Sequence, residues 1–191
     1  MYLLYMINTL IMKFHFLTLF LSFLLALSSK GFSYEVREVT FQEGVADLTH
    51  ARALAEYMME KAALENKWRV GRYHSNRIFE NALERFRRTE IRQLGPESRS
   101  RFCSAGALAY TLNFIGNDIY LCPRAQMLDE QILAQVLVHE VGHLILGGNE
   151  CVVTQFELLT SIHSPKGVVY RNGYWDECRI DSLLERVRAL N

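Results

Sequence analysis

The 191-residue chain is 50% hydrophobic and balances 21 Lys and Arg against 21 Asp and Glu, for a formal charge of zero. Its length predicts one domain of ordinary size, and its apolar fraction excludes a disordered chain. The absence of net charge removes any general electrostatic argument for nucleic acid, and 3 prolines beside 11 glycines exclude collagen-like and proline-rich architectures.

Residues 1–27 are almost uninterruptedly apolar, with Lys13 their only Lys or Arg. Read from Met12, a positive start leads into an apolar core of about fourteen residues and then the small residues Ala26 and Ser28, the pattern of a secretory signal peptide. The segment is also long enough to serve as an uncleaved membrane anchor. The expected organisation is a signal peptide over 1–33, cleaved near 28–33, followed by one domain over 34–191 that is periplasmic or secreted and leaves the membrane on cleavage. That domain retains 19 basic and 21 acidic residues, a balance that names no partner.

Apolar Leu48, Ala51, Ala55, Met58, Ala62 and Leu64 recur with helical period and predict a helix over 47–67. Ile78, Phe79, Leu83 and Phe86 predict a second over 76–88, with Arg77, Arg85, Arg87 and Arg88 on a solvated face. The polar stretch 89–102, with Gly95-Pro96, reads as loop. Two strands, 108–114 and 118–121, read as a hairpin around Gly116-Asn117. Asp129 caps a helix over 130–146 that stops at Gly147-Gly148, Asn149 caps another to about residue 162, and a last helix is expected over 175–190.

Four cysteines in an exported chain read as a disulfide framework, and no CxxC spacing favours a thiolate metal site. Cys103 and Cys122 flank the predicted hairpin, which brings them together, so the expected pairs are Cys103–Cys122 and Cys151–Cys178, each worth about 3 kcal/mol.

The helix over 130–146 carries His139-Glu140-Val141-Gly142-His143. Two histidines four apart share a helix face, about 5–6 Å apart at Cβ, so both imidazoles reach one ion. Neutral imidazole suits zinc, and Glu140 stands where a general base for metal-assisted hydrolysis is needed. With 6 histidines and 16 glutamates in the chain, chance supplies roughly 0.016 such motifs.

This motif, on a helix that follows a strand, resembles the zincin superfamily of zinc metallopeptidases. The resemblance covers about 110–157 and is most specific over 128–143. It implies an α+β, mostly helical, disulfide-stapled zincin-like domain with a small antiparallel sheet before the active-site helix. It also implies one zinc ion and a peptide or protein substrate, with 118–121 as the sheet-edge strand that binds the substrate by strand addition. A monomer is expected.

A catalytic zinc of this kind requires a third protein ligand and an open position. Glu150, Glu157 and His163 follow His143; Glu150 is favoured, because the two glycines permit a reversal that brings the start of the next helix back. The run from Gly147 to Leu159 resembles the gluzincin pattern E-x-x-A-[DN], with Val153 and Thr154 at the small and polar positions. Thr154 departs from the usual Asp or Asn, and Glu157, on the Glu150 face, is the candidate for orienting a ligand histidine. The segment from Phe102 to Cys122 is more loosely similar to the aspzincins, whose third ligand is an Asp where this chain has Glu150. The metzincin pattern fails at Leu146 and Asn149. Zincins usually carry an oxyanion donor, for which Tyr174, ahead of Tyr170 and Arg171, is the candidate. The competing readings are a zincin-like envelope protein that holds zinc without general protease activity, and a disulfide-stapled helical binding domain with a chance motif.

Overall fold

The computed structural model describes residues 47–65, 68–71, 73–112 and 116–189, with only the backbone of 73–76. All of them belong to the unit Ser33–Asn191. The predicted signal peptide over 1–33 lies outside the described residues.

Helix α1 spans Leu48–Leu64, with Asp47 as its N-cap, accepting the amides of Thr49 and His50 at 2.8 and 3.4 Å. It begins where the sequence predicts and ends three residues earlier than 67. A two-stranded ribbon, β1 (Arg69–Val70) against β2 (Tyr73–His74), leads into α2 (Ser75–Arg87). Short strand β3 (Ile91–Gln93), helix α3 (Arg101–Ser104), strands β4 (Ala109–Thr111) and β5 (Ile119–Leu121) and a 3-10 turn over Pro123–Met127 follow. Helix α4 spans Glu130–Leu146, α5 spans Glu150–Ser161, and α6 spans Ile180–Arg188.

The fold is α+β and mainly helical; the expected antiparallel pairing of the two strands is present, and a third, unexpected strand joins them. Strand order is β3-β5-β4, with β4 antiparallel to β5 and β3 parallel to it, Ile91 facing Ile119. Part of the stretch read as loop is therefore a strand, and 118–121 is central, not the sheet edge. Three residues, Ile-Arg-Gln, carry too little alternation to announce β3; its partner β5 specifies it.

Ala109, Ile119 and Leu121 turn into the core against α4, while Tyr110 and Tyr120 stack outside with ring centroids 5.0 Å apart. Ala51, Ala55, Met58 and Met59 of α1, Phe79 and Phe86 of α2, and Leu133, Val136, Leu137 and Val141 of α4 fill the same core. Phe79 stacks on Phe156 of α5 at 5.1 Å. The crossing of α4 and α5 is close: a Cβ on Gly142 would lie 2.9 Å from Cγ1 of Val153 and 3.1 Å from the ring of Phe156.

Both expected disulfides are present, Cys103–Cys122 and Cys151–Cys178, with Cα atoms 5.4 and 5.1 Å apart. They fit an oxidising compartment. Among the described residues no helix is long and apolar enough to cross a membrane. Helix α6 begins five residues later than predicted, because Trp175 to Arg179 form turns that end in a left-handed Arg179 (φ 54°).

Candidate metal centre

Helix α4 is capped by Asp129, which accepts the Gln131 amide at 2.8 Å, and is buried continuously from Leu133 to His143. It ends at Gly147, whose φ of 82° suits a residue without a Cβ. After that reversal Asn149 caps α5, accepting the Val152 amide at 3.2 Å, and Glu150 occupies the first turn. The chain thus folds the carboxylate of α5 back onto the histidine face of α4.

Nε2 of His139 lies 3.1 Å from Nε2 of His143. Oxygens of Glu150 lie 3.4 Å from the first nitrogen and 3.3 Å from the second. Ligands at about 2.0–2.1 Å from a tetrahedral ion stand about 3.3 Å apart, so each separation has the length of a coordination edge, the two carboxylate distances being to different oxygens of Glu150. His139, His143 and Glu150 form a group able to hold a metal ion. Both Glu150 oxygens are buried, and the two imidazoles are the polar groups they face, an arrangement a cation set between them would satisfy. The donor set and the buried carboxylate facing two imidazoles fit a metal.

Hydrogen bonds behind the rings turn the Nε2 atoms inward. Nδ1 of His139 donates to Oε2 of Glu157 at 2.8 Å, and Nδ1 of His143 donates to the Gly147 carbonyl at 3.0 Å. With Nδ1 committed as donor, Nε2 is the position left for a ligand bond. Glu157 is wholly buried and receives two further donors, Nε2 of Gln135 on Oε1 at 2.8 Å and Nδ2 of Asn172 on Oε2 at 2.7 Å.

Burial alone would depress His139, but Glu150 and Glu157 overcome it and hold the imidazole at about 10. Burial would raise Glu150, and the two histidines hold it instead at about 2. These opposite shifts are the signature of a carboxylate pressed against imidazole, an arrangement a metal ion replaces by displacing the proton. Glu140, 4% exposed, is pushed up chiefly by burial, against the pull of His143 and His139. Tyr174 is half-buried, and burial followed by the charge of Glu150 pushes its phenol up to about 12.

The remaining candidates separate. Thr154 joins the network by accepting from Asn172 at 3.2 Å. His163 stands 3.9 Å from Glu65, and Arg171 pairs with Asp181 at 3.1 Å beneath the Trp175 ring. Asn172 and Gln135 were not anticipated. Asn172 sits in a coil segment with no periodicity, whereas Gln135 stands one helical turn before His139 on the same face, a spacing that marks it as a neighbour. No family model, curated protein or solved structure matches the chain.

Proposed function

We propose that the chain is an exported zinc-dependent metallopeptidase of the zincin type. The observation that carries this reading is the convergence of the two Nε2 atoms and the Glu150 carboxylate, each pair 3.1 to 3.4 Å apart at the nearest atoms. Two imidazoles and one carboxylate with an open fourth position are a donor set of catalytic zinc. His139, His143 and Glu150 would hold a zinc ion, which would supply Lewis acidity for water activation and carbonyl polarisation.

Glu140 takes the proton released as the water oxygen bonds to the carbonyl carbon. It returns that proton to the nitrogen as the C–N bond breaks. A buried carboxyl with a raised proton affinity is suited to both halves of this transfer. Tyr174 keeps its phenolic proton at neutral pH and is the candidate donor to the oxyanion. With β5 central, β4 is the sheet edge beside α4 and takes over the substrate-strand role. Disulfides and the predicted signal peptide both support action outside the reducing cytosol.

Purified protein is expected to hold one zinc per chain by elemental analysis and to hydrolyse unfolded protein. Glu140→Gln should keep the zinc and lose about 100-fold or more in rate. Absence of stoichiometric metal would sink the reading. Zinc without hydrolysis in the wild type would favour a metal-holding envelope protein.

A further inference from the structure

A strap over residues 163–174 runs along α4 and is fastened to it once per turn. Oγ of Ser164 donates to Gln131 at 2.7 Å, and the amides of Val169 and Tyr170 donate to Oε1 of Gln135 at 3.3 and 3.2 Å. Nε2 of Gln135 donates to the Tyr170 carbonyl. Gln131, Gln135 and His139 are spaced by four, so the polar stripe that binds the strap ends on a ligand histidine.

Asn172 closes the stripe. It is 4% exposed, and its Oδ1 accepts the Tyr174 amide at 3.0 Å, which assigns Nδ2 to the opposite side. The two Nδ2 hydrogens go to Oε2 of Glu157 at 2.7 Å and Oγ1 of Thr154 at 3.2 Å. Nδ2 lies 3.5 Å from Nδ1 of His139 because both donate to the same carboxylate oxygen. Every hydrogen-bonding group of the side chain is therefore used, and one residue joins α5, the ligand-orienting carboxylate and the turn that leads to Tyr174.

We propose that Asn172 is a positioning residue of the metal centre. It holds the Glu157 carboxylate where Nδ1 of His139 must meet it, and thereby aims Nε2 of His139. The proposal rests on the zinc reading above. Apolar replacement removes the clamp without touching a ligand, so the metal should bind with the same stoichiometry, more weakly, and in altered geometry.

Zinc affinity by chelator competition, the visible spectrum of the cobalt-loaded protein and the thermal midpoint of the metal-free protein are measured together. Asn172→Leu should lose about 10- to 100-fold in affinity for either metal, as for other groups behind a ligand histidine. Its saturated cobalt spectrum should change in band position or intensity. In the Glu157→Gln background the same substitution should cost less than about threefold, because Asn172 acts through Glu157. Asn172→Ser, too short to reach both partners, should give the same ordering if the leucine variant does not fold. Affinity within twofold of wild type and an unchanged cobalt spectrum would overturn the role of Asn172 alone. So would losses that multiply with those of Glu157→Gln, the mark of a merely structural side chain. Wild type that takes up neither zinc nor cobalt would overturn the zinc reading itself.

Discussion

Glu150 and Glu157 share one face of α5, yet the first meets both imidazoles at Nε2 and the second meets His139 from behind at Nδ1. Zinc affinity, measured by competition with a chelator, should therefore fall about 10- to 100-fold in Glu157→Ala and further in Glu150→Ala. The reverse order would exchange their roles. Glu157→Ala should also cost the metal-free protein about 3 kcal/mol or more in denaturant unfolding, because it strands three buried donors. The two proton affinities set a pH signature. His139, raised from 6.5 to about 10, contributes stability that is full below 6.5 and disappears as pH rises through about 10. Glu150, lowered from 4.5 to about 2, contributes stability that is present above 4.5 and disappears as pH falls through about 2. In excess chelator this pair should thus stabilise most between pH 4.5 and 6.5 and weaken toward pH 10, read from thermal midpoints across that range. Zinc binding at pH 7 should release a proton from His139, measurable by calorimetry in two buffers of different ionisation enthalpy.

Helices α4 and α5 cross closely because position 142 carries no side chain. Alanine there would gain about 1 kcal/mol of helix propensity but meets Val153 and Phe156, both fully buried, where overpacking costs about 1–3 kcal/mol. Gly142→Ala should lower the thermal midpoint and weaken zinc binding, since any spreading of the two helices moves Glu150 away from the histidines. A midpoint at or above wild type would show that Val153 yields. The helices and the ligand motif were readable in advance because their signals are local: Asp129 and Asn149 as caps, Gly147 as stop, and a four-residue histidine spacing. Strand β3 was not readable, since three residues paired in parallel draw their conformation from β5. The strap was equally silent, as Asn172 gains its partners only when α5 and the coil are brought together.

A covalent bond lies beside the candidate metal group: Cys151 follows Glu150 directly, and Cys178 lies a few residues beyond Asn172 and Tyr174. The bridge thus ties the Glu150 end of α5 to the segment that follows Asn172. Replacing both cysteines by serine should lower stability by about 3 kcal/mol in denaturant unfolding. It should also weaken zinc binding more than the same replacement at Cys103 and Cys122, which staple the sheet region. Equal effects of the two replacements would separate the bridge from the centre. If the bridge supports the centre in this way, its formation in an oxidising compartment would set how firmly the site grips an ion.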